Sequence, residues 1–162
     1  MNPAKETHQI RQVIAILRIT LGVILLVTWY DNLVKGLYTG DGLSGFFNWL
    51  FSPDGNNSSL LWYRDLLNAT ILGVPGLFAV FQLVTELLLG LALLVGAFTP
   101  AAGIGAAFFF FNLFLSYFGG HEWIWTYVLL TIAAVVVGLT RSGRALGLDQ
   151  MLAQRFNNAF YV

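Results

Sequence analysis

The sequence predicts an all-α membrane protein: a four-transmembrane-helix bundle with a partly helical extracytoplasmic cap between helices 1 and 2. Three observations predict it. Apolar stretches at about 10–30, 76–98, 101–118 and 122–140 approach the roughly 20 residues that carry a helix across a bilayer core of about 30 Å. The chain is 57% hydrophobic and 10% charged, with mean hydropathy +0.74, whereas charged residues make up about 25% of soluble domains. The segment 36–75, interrupted by a run of turn formers, is too long for an ordinary connection, so it is expected to carry structure of its own. The whole, 1–162, reads as one membrane domain.

Composition also bounds the chemistry. Eight basic and eight acidic residues cancel, so no overall field draws nucleic acid. Without cysteine the chain has no disulfide, no thiol redox chemistry, and no Cys-ligated cluster or zinc. The two histidines, His8 and His121, are expected on opposite sides of the membrane and so could not share a haem. No Fe–S centre, haem or metal is expected, and no redox centre intrinsic to the chain.

The polar N-terminus runs into an apolar stretch longer than a signal-peptide core, so it is read as retained. The first span closes in Trp29-Tyr30-Asp31, an aromatic belt followed by a return to water. In the cap, Leu43, Phe46, Phe47 and Leu50 fall at i, i+3, i+4 and i+7, the pattern of an interfacial amphipathic helix. The run 52–57 is dense in turn formers. Asn56 and Asn57 match glycosylation sequons and serve equally as turn residues. Ser58 or Ser59 is expected to cap a second cap helix reaching Ile71.

Val74-Pro75-Gly76 introduces the second span, and Thr99-Pro100 turns tightly into the third. The third opens with small residues four apart over 101–107, spacing that lets membrane helices approach closely. After the fourth span, a tail at 141–162 starts with Arg141 and Arg144 and holds a short amphipathic piece around Leu148, Met151 and Leu152. Lys5, Arg11, Arg141, Arg144 and Arg155 flank the spans at the termini, whereas Lys35 and Arg64 in the cap face Asp31, Asp41, Asp54 and Asp65. Basic flanks mark the cytoplasmic side, so both termini are expected there and the cap outside.

The second span holds a lone carboxylate, Glu86, and ionisable groups at that depth are costly enough to need a partner or a task. Counting 1.5 Å per residue from the expected span ends puts Arg18 about 12 Å, Glu86 and Asn112 roughly 17 to 18 Å and Thr131 about 14 Å from the cytoplasmic face. These side chains are therefore expected in one polar layer, with Arg18 paired to Glu86 and Gln82 extending the track outward. Such a layer fits a hydrogen-bonded clamp that fixes helix register, or a group that handles protons or a polar headgroup. A second constellation at the outer interface comprises Trp29, Tyr30, Asp31, Lys35, Tyr117, His121, Glu122, Trp123 and Trp125. It reads either as an aromatic belt or as a place where a non-covalently bound quinone ring lies between aromatics with Lys35 or His121 on a carbonyl oxygen.

Arg18 with Gly22, Trp29-Tyr30-Asp31 and Lys35 resembles the first helix of the DoxX/DoxD family. Glu86 with Gly90, Leu94, Gly96 and Thr99 is similar to that family's second-helix signature, and Gly143-Arg144-Ala145-Leu146-Gly147-Leu148-Asp149 to its closing segment. The aspartate and lysine often adjacent in DoxD-like sequences are here separated by Asn32-Leu33-Val34. The resemblance implies a small four-helix subunit of the prokaryotic cytoplasmic membrane. DoxD-like members are the membrane part of thiosulfate:quinone oxidoreductase and work with an outward-facing subunit.

Two functions are therefore expected as alternatives. One is a membrane subunit that supports quinone-linked electron transfer beside a partner carrying the substrate site. The other is a non-catalytic structural or assembly subunit of a respiratory or photosynthetic membrane complex. A transporter is disfavoured by the lack of an inverted repeat or a broken helix pair.

Overall fold

The computed structural model describes residues 3–155, with side chains from residue 7 onward. The Lys5 side chain of the expected basic flank and the end of the expected tail, 156–162, lie outside the described residues. Described residues form seven α-helices and a 3-10 turn, with no strand among them: α1 Pro3–Val34, α2 Gly40–Phe51, α3 Leu61–Thr70, α4 Pro75–Val95, α5 Thr99–Tyr117, α6 Trp125–Thr140 and α7 Asp149–Arg155, the 3-10 turn Ser142–Arg144 preceding α7. Three stretches, Thr7–Val34, Pro75–Val95 and Thr99–Tyr117, are long and apolar enough to cross a membrane; α6 is apolar but shorter. Val13, Ile16 and Val27 of α1, Leu77, Phe81 and Leu88 of α4, Phe108 of α5 and Leu129 and Leu139 of α6 are all more than half exposed. Apolar exposure on that scale suits lipid, and the chain is a membrane protein.

The long helices associate in two tight pairs, α1 with α4 and α5 with α6, and α1 also touches α6. Without a hydrophobic drive between helices in lipid, close packing of small residues supplies the association. At the first pair a Cβ added to Gly22 would stand 2.6 Å from the Leu94 nitrogen, and at the second one added to Gly103 would stand 2.5 Å from the Gly138 backbone. Ala102, Gly103, Ala106 and Ala107, the small residues that open α5, are buried in this seam. Leu21, Leu25, Leu93, Phe110, Ala134 and Val137 fill the core between the pairs.

The region between α1 and α4 folds over one end of these helices, hereafter the cap end. Thr39 caps α2 by accepting a hydrogen bond from the Gly42 N–H (3.0 Å). The expected amphipathic face is seated here, with Leu43, Phe47 and Leu50 buried and Phe46 packed beside them. The expected serine cap of α3 is corrected: the N-cap position is Leu60, with no side-chain hydrogen bond. Each serine is engaged elsewhere. Ser58 Oγ accepts from Asn56 Nδ2 (2.8 Å), and Ser59 Oγ donates to the Phe118 carbonyl (3.1 Å). Asn56 is 1% exposed, and its Oδ1 accepts from the Glu122 N–H (3.1 Å), tying the cap turn to the α5–α6 loop.

At the other end, hereafter the tail end, the chain after α6 closes over the α4–α5 hairpin. Gly96 ends α4 at φ 69°, and Phe98 precedes α5 at φ 50°. The Leu148 and Asp149 N–H groups donate to the Val95 and Gly96 carbonyls (3.1 and 2.8 Å), two acceptors that a helix C-terminus leaves open. The Asp149 carboxylate accepts from the Phe98 N–H (2.6 Å) and the Thr99 N–H (2.8 Å). One segment therefore caps the end of α4 and the start of α5 together.

Candidate functional site: a cleft between α4 and α5

The expected pair of Arg18 and Glu86 does not form. Arg18 is 1% exposed and donates through Nη2 to the Leu146 carbonyl at 2.5 Å, and Asp149 is the acid whose charge acts on it. Its Nη1 lies so close to Gly96 that a Cβ there would overlap it, which sets Arg18 level with the α4–α5 hairpin. Glu86 is ten residues back along α4, about 15 Å at 1.5 Å per residue. Arg18 and Glu86 thus lie at different depths: α1 starts at Pro3, before the expected span start at residue 10, and runs past the level of the hairpin. The helix overhangs the hairpin, so helix ends are not level and residues counted from them are not either.

Glu86 is instead met by the cap. The Tyr38 hydroxyl, on the loop between α1 and α2, donates to Glu86 Oε2, and Asn32 stands beside the same carboxyl. Burial first, then Glu86, holds the Tyr38 hydroxyl above the ordinary tyrosine range, so it stays a donor at neutral pH. Thr131 donates to its own helix, at the Tyr127 carbonyl (2.7 Å). Helical threonines commonly make this bond, and it needs no partner helix. The expected four-helix polar layer is thus divided among separate sites.

Two of its members, Gln82 and Asn112, do share a site. Because α4 packs chiefly on α1 and α5 chiefly on α6, the hairpin helices touch less closely. Gly105 faces Leu89 near the hairpin, where a Cβ would stand 2.9 Å from Leu89 Cδ2. Toward the cap end a cleft of about 540 Å³ lies between them, reaching Tyr63 and Leu67 of α3 and Phe46 and Phe47 of α2. Leu89, Phe108 and Phe109 line it nearer the hairpin; toward the cap Gln82, Thr85, Asn112, Ser116 and Tyr63 line it together with Leu67, Ile71 and Phe78. Among the described residues no charged side chain lines it. The volume falls in the range of small-molecule sites, about 300–1,000 Å³, and such sites are mostly apolar with a few convergent polar groups.

Polar groups in the cleft are held in place. Tyr63 Oη donates to Asn112 Oδ1 (2.8 Å), and Asn112 Nδ2 donates to the Phe108 carbonyl (2.7 Å). Burial pushes the Tyr63 hydroxyl up, with Ser116 pulling the other way. Phe81 and Phe108 line the cleft and are also 60% and 70% exposed. The cleft therefore opens sideways, where lipid lies.

The members of the outer aromatic constellation are engaged at separate places. Trp29 Nε1 donates to the Leu83 carbonyl (3.1 Å) on α4, and Lys35 bridges Asp31 at 2.5 Å with both side chains exposed. His121 Nδ1 meets the Gly55 carbonyl at 3.2 Å. Tyr117 stacks on Tyr127, centroids 5.1 Å apart, while Tyr30, Trp123 and Trp125 are exposed. Trp29 and Lys35 are thus occupied on the α1 side and His121 at the cap turn. The contributors that sequence reasoning missed are Tyr63, Thr85 and Ser116 in the cleft, Tyr38 at Glu86 and Asp149 at the hairpin. Tyr63 had a signal, since it shares a helical face with Leu67; Tyr38, in a turn, had none.

Fold and site together define an all-helical membrane protein with a charge-free, lipid-facing cleft. Searches with protein-family models, among curated proteins and among solved structures find no match for the chain.

Proposed function

We propose that the α4–α5 cleft binds a neutral, lipid-soluble ligand with a hydrogen-bonding head, a quinone, and that the chain is a DoxX/DoxD-like membrane subunit supporting quinone-linked electron transfer. The observation that carries this reading is the cleft itself: about 540 Å³, largely apolar, uncharged, with its few polar side chains gathered toward the cap among apolar ones. An ionic head would meet no counter-charge there, whereas a quinone carbonyl oxygen needs only a donor. Gln82 and Thr85 supply donors from α4 and Asn112 orients the opposite wall, while a chain leaves between Phe81 and Phe108 into lipid. A bound quinone would supply two-electron redox chemistry. The chain's own residues bind its ring, orient it and keep water out.

In this reading α6 is the fourth span of the bundle, its 16 residues covering about 24 Å, a shortfall that membranes absorb at modest cost. The α2–α3 region is the extracytoplasmic cap. Arg11 and Arg141 act on the charge of Arg144 at the tail end, which supports a cytoplasmic tail end in a prokaryotic inner membrane. An outward-facing partner subunit would dock over the cap and bring the electron donor.

Protein in lipid nanodiscs, titrated with short-chain ubiquinone and menaquinone analogues, tests the reading. Saturable binding is expected, weakened by Gln82→Leu or Asn112→Leu by roughly 2- to 10-fold each, one neutral hydrogen bond being worth about 0.5–1.5 kcal/mol. Thr85→Phe should fill the cleft and block binding. No saturable binding, or binding indifferent to Thr85→Phe, would sink the proposal, and copurification in a large assembly without quinone would favour the assembly-subunit alternative.

A further inference from the structure

Glu86 is wholly buried, on a helix that packs its inner side against α1. Tyr38 donates to Oε2 and Asn32 hydrogen-bonds the same carboxyl, whereas Oε1 is fully buried. Among the described residues no cation offsets the carboxyl: Arg18 is bound to Leu146 at the tail end, and Lys35 is bound to Asp31 in the exposed loop. A carboxyl buried without a counter-ion neutralises by keeping its proton. The two oxygens then have distinct roles, Oε2 as the carbonyl acceptor for Tyr38 and Oε1 as the hydroxyl.

We propose that Glu86 is a proton-binding site, carrying a proton on Oε1 at neutral pH and exchanging it with water on the cap side only: the carboxyl turns its O–H to the Tyr38 hydroxyl, which takes that proton and passes its own toward water. Polar groups around Glu86 are one-sided. Toward the cap stand Asn32 from α1 and Tyr38 from the loop, which continues into exposed Lys35 and Thr39. Toward the tail α4 presents Gly90 and Leu93, both buried, and a Cβ on Gly90 would already touch Leu26 and Leu25. The apolar packing offers a proton no step in that direction.

The groups that meet this carboxyl are few. From α1 it is met by Asn32, which does not titrate, and from the α1–α2 loop by Tyr38, among the described residues the one titratable side chain acting on it. The buried face of α2, which packs on α4, is Leu43, Phe47 and Leu50. Arriving and leaving protons balance as exchange with water, and no electron moves. The site is independent of what fills the α4–α5 cleft.

Infrared spectroscopy of the full chain in nanodiscs reads this directly. At neutral pH a carbonyl band of a protonated carboxyl is expected, absent in Glu86→Gln. Tyr38→Phe keeps the carboxyl but removes the donor to its carbonyl, so the band should move to higher frequency and its deuterium shift after transfer to D₂O should slow several-fold. A wild-type spectrum without this band, or a band unchanged in Glu86→Gln, overturns the site. Exchange in Tyr38→Phe as fast as in wild type overturns the cap-side route. Should Glu86→Gln not fold, a band in Tyr38→Phe at the wild-type frequency refutes the assignment on its own.

Discussion

Replacing Asp149 should unfasten the tail from the hairpin. Its carboxylate is fully buried and accepts from the N–H groups of Phe98 and Thr99 at 2.6 and 2.8 Å. Asp149→Ala leaves both donors without a partner at a helix start packed under residues 142–149. A buried, unsatisfied backbone donor costs about 1–3 kcal/mol, and a lost N-cap about 0.5–2 kcal/mol. These figures describe the same donors and do not add, so the expected loss is about 3 kcal/mol, with part of any excess due to Arg18 losing the acid that acts on it. Thermal unfolding in detergent and limited proteolysis of the tail measure it, with exposed Gln150→Ala as the control. At roughly 2–4 °C per kcal/mol for a chain of this size, the midpoint should fall by about 6–12 °C and the tail become cleavable. Asp149→Asn keeps one acceptor and should fall between. A loss below about 1 kcal/mol for Asp149→Ala, with the tail still protected, would refute the clasp.

Other perturbations separate the remaining contacts. Gly103→Val should push α5 from α6, because its Cβ would lie 2.5 Å from Gly138 backbone atoms that cannot rotate away; overpacking of this kind costs about 1–3 kcal/mol, read as a lower melting midpoint, while the same change at Gly45, where nothing stands within 4 Å, should be milder. Arg18→Leu and Glu86→Gln should be additive within about 0.5 kcal/mol in a double-mutant cycle, since sites without shared partners add; a coupling above 1 kcal/mol would restore the expected pair. Tyr63 and Tyr38 are both held above the ordinary range, by burial first, so the unfolded chain ionises before the folded one. Their contribution is complete below the unfolded value of about 10 and is lost as pH rises from there toward the folded values. Chemical denaturation should therefore be flat from pH 7 to about 9 and weaken above about 10, with a shallower fall in Tyr63→Phe.

Much of the site lay beyond local pattern. Gln82 and Asn112 were marked by their polarity within apolar helices, but their shared cleft depends on α4 and α5 each having a better partner elsewhere. Arg18 and Glu86 were marked as costly buried groups, and both are buried with polar neighbours, though not with each other. Their neighbours come from segments that carry no periodic signal: Tyr38 from a turn and Leu146 from the tail. Asn56 is a turn residue by its sequence and also fastens the α5–α6 loop, which no spacing in its own segment reports.

By itself the sequence determined the helical class, the apolar segments, the amphipathic face of α2 and the small-residue seam of α5, while the tight turn expected at Thr99-Pro100 falls at 96–98, with Thr99-Pro100 opening α5. Each follows from nearest neighbours along the chain, through hydropathy, periodicity and the backbone limits of proline and glycine. Tertiary structure alone decided register. Where Gly22 meets Leu94 and Gly103 meets Gly138 sets how far each helix slides past the next, and α1 slides beyond the hairpin. That slide carries Arg18 to the tail clasp and leaves Glu86 to Tyr38. A helix's length shows how far it can reach, but its depth is set by the side chains it must interlock with, and those belong to other helices.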